Sequence, residues 1–174
     1  MIDSNSRKRR WPLVAGVAIP LLAAVYTFKS FTMPIFAQES IAELFELDVN
    51  GDAQYLLVRG VDRKQPVMLF VHGGPGMPAM FLAHDFQRGL EKEFVVVHWD
   101  QRASGKSFKN TTDQAQLSIS LLLSDMDVVV DYLRGSLGAS KLWIVGHSHG
   151  SYLGALYARR HPEKVCAFVG TGQV

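Results

Sequence analysis

The stretch Lys141–Tyr152, KLWIVGHSHGSY, constrains the fold more than any other part of this chain. Leu142, Trp143, Ile144 and Val145 read as a buried strand and Leu153 to Arg160 as a helix. Between them stands Gly146-His147-Ser148-His149-Gly150, a G-x-S-x-G on a strand-to-helix turn. A serine at the tip of so sharp a turn must take a strained backbone conformation. Side chains two residues to either side would collide where strand and helix cross, so both places go to glycine. The hydroxyl is pushed out at the carboxyl end of a strand and the amino end of a helix, where unpaired N–H groups and the dipole favour developing negative charge. Ser148 is therefore the candidate nucleophile. A chance pentapeptide in a loop is the bland alternative, and the strand before and helix after weigh against it.

At 174 residues, with 48% hydrophobic and 20% charged content, the chain suits one core-burying domain or part of one. The net charge of +2 is uneven: the first ten residues carry +3, Lys29 adds one, and the rest carries −2. No basic field for nucleic acid exists in the folded part. Cys166, the only cysteine, cannot make an internal disulfide and is expected to pack as a small apolar residue. The six histidines lack H-x-x-x-H, and the one H-x-H pair, His147 and His149, straddles the serine. Neither a metal nor a cofactor is expected.

Arg7 to Arg10 form a basic cluster directly before Trp11 to Phe28, eighteen residues without a charge. As a helix this run would be roughly 27 Å long, enough to cross a hydrocarbon core of about 30 Å with some thinning. Pro12 is harmless in a first turn, and Pro20 would only kink the middle. The expectation is a basic cytoplasmic segment 1–10, a transmembrane signal-anchor 11–28, a tether 29–40 with Pro34, and an extracytoplasmic remainder at the cell membrane. A cleaved signal peptide competes, but no A-x-A occurs near the run and Ile35-Phe36-Ala37 is a poor cleavage site.

From residue 41 the pattern is α/β. Ile41 to Val49 alternates loosely, Asn50-Gly51 supplies a tight turn, and Ala53 to Arg59 is the returning strand of an antiparallel pair. Val67 to Val71 and Phe94 to His98 are unbroken apolar runs, the mark of strands covered on both faces. Met80 to Glu93 and Ser118 to Leu137 read as helices, the second with Gly135 and Gly138 as stop signals. A last strand is expected over Val165 to Val169. Strand and helix alternating from Val67 onward imply a mainly parallel sheet flanked by helices.

Acyl transfer also needs donors aimed at the place where a carbonyl oxygen becomes negative. The elbow implies one, the backbone N–H of His149. The second should come from a loop after an earlier central strand, where His72-Gly73-Gly74-Pro75-Gly76 lies. Pro75 has no N–H, which leaves Gly73 or Gly74, and Gly74 is favoured. The structural alternative is that these glycines make only a tight turn.

HGGPG, WDQRASGKS and GHSHGS, in this order and at these separations, resemble the prolyl iminopeptidase branch of the α/β-hydrolase superfamily over about Ile41 to Val174. The resemblance implies an incomplete α/β-hydrolase fold, Ser148 as acylated nucleophile, Gly74 and the N–H of His149 as oxyanion donors, and Asp100, Gln101 and Arg102 in a loop shaping the floor of the site. It implies a small peptide, amide or ester as substrate. Two positions depart from the family's pattern: Ala103 stands where glycine is usual, and His149 where tryptophan is usual.

A serine hydroxyl also needs a histidine to take its proton and a carboxylate to orient that histidine. In this superfamily both follow the serine. Only 24 residues follow Gly150, and they hold His161 and Glu163, roughly 18 Å from Ser148 along the elbow helix. His147 and His149 flank the serine but should point elsewhere. His84 and His98 are expected to be packing or surface residues, and Asp125 and Asp127 a solvated helix face or turn-to-turn contacts. The expectation is the amino-terminal half of a membrane-tethered hydrolase, aggregation-prone or partly folded alone. The alternative is an inert fragment or a non-enzymatic binding module.

Overall fold

The computed structural model describes residues 31–109 and 117–173. The chain divides after Phe31, and Thr32–Val174 form one compact unit. Six strands make a single sheet: β1 (Ile41–Val49), β2 (Asp52–Gly60), β3 (Val67–Val71), β4 (Val95–Asp100), β5 (Leu142–His147) and β6 (Val165–Thr171). Their spatial order is β1-β2-β4-β3-β5-β6. β1, β2 and β4 pair antiparallel, while β4, β3, β5 and β6 run parallel. The expected hairpin and the expected parallel sheet are both present. Asn50 and Gly51 have φ of 52° and 75°, the positive values that let a two-residue turn follow the strands' twist.

Among the described residues the α-helices are α1 (Ala83–Phe86), α2 (Ile119–Leu137) and α3 (His149–Arg160). Ser118 caps α2 by accepting from the Leu121 N–H, and Gly138, at φ 66°, ends it. Gly135, read from sequence as a second stop, lies inside the helix. α2 and α3 supply the main core: Leu122, Met126, Val129, Val130, Leu133, Leu153 and Tyr157 pack with Leu56, Val58, Leu69, Val97, Trp99 and Ile144 of the sheet. The opposite face is covered by the chain from Met80 to Lys92, where Met80 and Ala83 pack on Leu57 of β2.

That second cover departs from the single helix expected over 80–93. It is a 3-10 turn (Met80–Leu82), the one-turn α1, and a further 3-10 stretch (Gln87–Lys92). Gly89 weakens a helix here. The buried Gln87 and Glu91 take their positions from a strand: Arg59 Nε of β2 donates to Glu91 Oε1 at 2.7 Å, and Gln87 Nε2 donates to the same oxygen at 2.7 Å.

Three further expectations change. Residues 32–40 are not a free tether. Arg59 Nη1 donates to Thr32 Oγ1 at 2.7 Å and to the Met33 carbonyl at 2.5 Å, Ser40 Oγ donates to the Ile35 and Ala37 carbonyls, and the Arg63 N–H donates to Glu39 O. Cys166 is exposed rather than packed, because it lies on the outer strand β6. Asp125 is wholly buried rather than solvated. The basic segment 1–10 and the apolar run 11–28 lie outside the described residues, among which no helix is long and apolar enough to cross a membrane.

Candidate active site

Ser148 stands between the end of β5 and the first residue of α3, at φ 50° and ψ −126°, a conformation rare for any residue with a side chain. Its surroundings explain the glycines on either side. A Cβ on Gly146 would come within 2.3 Å of the Gly150 carbonyl oxygen, and one on Gly150 within 2.1 Å of the Val71 carbonyl oxygen. The turn is therefore as tight as backbone packing allows. It is also braced from outside: the Ser148 N–H donates to Thr171 O of β6 at 2.9 Å, and Ser151 Oγ donates to Ser148 O at 2.6 Å. Every hydrogen bond of Ser148 among the described residues runs through its main chain.

The glycine loop after β3 lies directly against the serine. A Cβ on Gly73 would meet Ser148 Cβ at 2.9 Å and the His147 carbonyl oxygen at 3.0 Å. Gly74 follows at φ 116°, before a cis bond to Pro75, and Gly76 has φ 85°. The amide N–H groups of Gly74 and His149 donate to no acceptor among the described residues. These are the two groups named from sequence as oxyanion donors.

His72 pins this loop to the loop after β4. It is buried, and its Nε2 accepts from the Gln101 N–H at 3.1 Å and lies 2.9 Å from Ser104 Oγ; Nδ1 is 2.9 Å from the Gly73 carbonyl. The bonds place its proton on Nδ1. Burial pushes the His72 pKa down, the Gly73 carbonyl opposes this, and His149 lowers it further, a balance that favours the uncharged ring. Gln101 Nε2 returns the contact by donating to His72 O at 3.0 Å.

The other residues of that loop hold it in shape. Asp100 is buried; its Oδ2 accepts the Lys106 N–H at 2.8 Å while its carbonyl accepts from Ser107 Oγ at 2.6 Å. Burial raises the Asp100 pKa, against the opposing Lys106 contact. Arg102 reaches across to α2 and grips Asp125 with Nε and Nη2 at 2.8 and 2.9 Å. The same carboxylate accepts from Asn50 of the hairpin and Gln54 of β2, so Asp125 joins three elements. Its surroundings explain why it is buried: a charge excluded from water persists only where it is paired and hydrogen-bonded. Sequence carried no signal for this, because the partners lie 23 to 75 residues away.

The histidines divide as follows. His147 is exposed, its Nδ1 3.2 Å from Thr171 Oγ1. His98 is buried and stacked on Phe70 at 4.8 Å, inside a small pocket that Phe70, His72, Met80 and His147 also line. His84 Nε2 lies 3.5 Å from Thr32 Oγ1. His161 caps the far end of α3, 3.4 Å from Glu163, and is removed from the serine by the length of the helix. Asp127 bonds Tyr157 and Lys164. Among the described residues no three His, Cys, Asp or Glu side chains could together hold a metal ion. The structure thus brings a strained serine against the glycine loop, and leaves the described histidines and carboxylates outside hydrogen-bond contact with the hydroxyl.

Comparison with known proteins agrees with this fold. The family model described as alpha/beta hydrolase fold matches residues 66–173. The chain is 37% identical over 137 residues to the probable aminopeptidase YbaC of Bacillus subtilis, covering 79% of this chain and 43% of that protein. It is 32% identical over 136 residues to a probable proline iminopeptidase of Streptomyces coelicolor, covering 72% of this chain and 38% of that one. Among solved structures, a proline iminopeptidase-related protein of Thermus thermophilus superposes with a TM-score of 0.63 at 26% identity, over 74% of this chain and 44% of its own. The chain spans less than half the length of these relatives. It belongs to the α/β-hydrolase fold family. Within that family it falls in the prolyl iminopeptidase-like branch.

Proposed function

We propose that this chain carries the nucleophile and oxyanion half of a membrane-anchored serine hydrolase that cleaves a small peptide, amide or ester through Ser148. The observation that carries the reading is the serine itself: a non-glycine residue held at φ 50°, with the HGG loop packed on its Cβ. In the reaction Ser148 Oγ forms a bond to the substrate's carbonyl carbon and passes its proton to a general base. The carbonyl electron pair moves to oxygen, where the N–H groups of Gly74 and His149 receive the charge. Collapse expels the amine or alcohol with a returned proton, and water repeats the sequence on the acyl-serine. Relatives named as aminopeptidases and proline iminopeptidases favour a peptide. The base and its orienting carboxylate are assigned to the further length of chain that such relatives possess. The apolar run 11–28 supplies the anchor, with the hydrolase unit on the extracytoplasmic side.

A fluorophosphonate probe is expected to label the full-length protein and to lose that labelling in Ser148→Ala; absence of labelling in the unsubstituted protein overturns the proposal. The second reading, an inert binding module, draws on the lack of any side-chain hydrogen bond to Ser148 Oγ among the described residues. Ester turnover by the purified 174-residue chain, abolished in Ser148→Ala, would rule it out.

A further inference from the structure

The small pocket that His98 shares with Phe70, His72, Ala79, Met80 and His147 lies at the carboxyl ends of the central strands. Two of these residues adjoin the candidate site along the chain. His147 precedes Ser148, and His72 precedes Gly73, which lies against Ser148 Cβ. β3 and β5 are neighbours, yet the chain leaving β3 goes on to β4 and the chain leaving β5 to β6, on opposite sides. In open α/β sheets ligands settle in the crevice at the carboxyl ends of two such strands.

The pocket also holds a polar atom without a use. His98 is 2% exposed, stacked on Phe70 at 4.8 Å and in edge contact with Phe86 at 5.8 Å, so its ring is fixed. Its Nε2 has no hydrogen-bond partner among the described residues, whereas both nitrogens of His72 are engaged. A buried nitrogen left unpaired is unfavourable, so a group that pairs with it is selected over one of the same shape that cannot. Burial, with His72 and His84, lowers the His98 pKa to about 4, and the ring therefore meets an occupant uncharged. A charged group would lose its water among Phe70, Ala79 and Met80 without gaining a counter-charge. A hydroxyl is neutral, and because it both donates and accepts it pairs with Nε2 in either tautomer.

The register sets the reach. His98 stands opposite Phe70, and Phe70 opposite Val145, three residues before Ser148. Two strand spacings of about 4.8 Å and three residues' rise of about 3.3 Å put the Cα atoms of His98 and Ser148 about 14 Å apart. Less the two side chains, that gap suits an acyl chain of about six to ten atoms. We infer that this pocket is a substrate subsite, in which His98 Nε2 receives a hydroxyl at the far end of the acyl group cleaved at Ser148. The inference rests on the serine hydrolase reading above and adds a substrate class to it.

The test compares esters that differ only by hydroxyl for methyl, on the full-length protein. p-Nitrophenyl 8-hydroxyoctanoate should exceed p-nitrophenyl nonanoate in kcat/KM at least tenfold, because a site that bonds a substrate hydroxyl rejects the analogue lacking it. The short pair, 3-hydroxypropanoate and butanoate, should differ less than twofold, and His98→Phe should bring the long pair to the same ratio. Fluorophosphonate labelling of Ser148 without a preference in the long pair overturns this inference and leaves the hydrolase reading standing. So does a preference that survives in His98→Phe. Absence of labelling overturns both. The unsubstituted protein gives a reading that needs neither turnover nor a folded variant: 8-hydroxyoctanoate should move the 15N resonance of His98 Nε2, and nonanoate should leave it in place. Equal movement with both acids, or movement with neither, overturns the subsite.

Discussion

At the scale of single residues, one position stands under backbone strain without an evident use. Ala103 has φ 59°, in the left-handed region where a Cβ crowds the following carbonyl. The related family usually places glycine there. Ser148 pays the same kind of strain for exposure of its hydroxyl, whereas Ala103 only turns the loop after β4. Ala103→Gly should therefore stabilise the fold by about 0.5–1 kcal/mol, the relief of left-handed strain less glycine's extra freedom when unfolded. Urea denaturation of the two chains measures it, and an unchanged or lowered midpoint contradicts it. The serine was legible because a motif of five residues forces its own geometry; the strain at Ala103 was not, because alanine carries no turn signal. Cys166 was misread for a different reason. Burial of a β residue depends on where its strand stands in the sheet, and nothing local tells that β6 has a neighbour on one side only among the described strands.

Among elements, the parts that hold the site together are the Arg102–Asp125 pair and the His72–Gln101 exchange, each joining segments far apart in sequence. Removing the cation while leaving the wholly buried carboxylate should be severe: Arg102→Ala is expected to cost about 3–5 kcal/mol. Calorimetric or urea unfolding checks this, and a loss below about 1 kcal/mol would mean that Asn50 and Gln54 alone satisfy Asp125. Strands β3 and β5, the hairpin and α2 could be read directly, since apolar runs, Asn-Gly and a serine cap act over a few residues. The broken cover from Met80 to Lys92 could not, because its conformation follows Arg59 of a strand twenty residues earlier.

For the whole molecule, the buried histidines set a dependence on pH. Burial, with smaller contributions from His72 and His84, lowers the His98 pKa from the ordinary 6.5 to about 4. The unfolded chain then binds a proton over that window while the folded chain does not. Stability is complete above about pH 6.5 and falls as pH drops toward about 4, by up to about 3 kcal/mol from this residue. His72, also lowered, adds in the same direction. In His98→Phe, which keeps a ring against Phe70, the slope of unfolding free energy between pH 6.5 and 4 should shrink by up to one proton; an unaltered slope would remove His98 as its source. Finally, the amide of Ser148 ends on Thr171 O of β6. The nucleophile thus follows an interior strand, β5, and is tied as well to that strand's neighbour on the side away from β3. Whatever displaces β6 is transmitted, through this peptide hydrogen bond, to the aim of the serine.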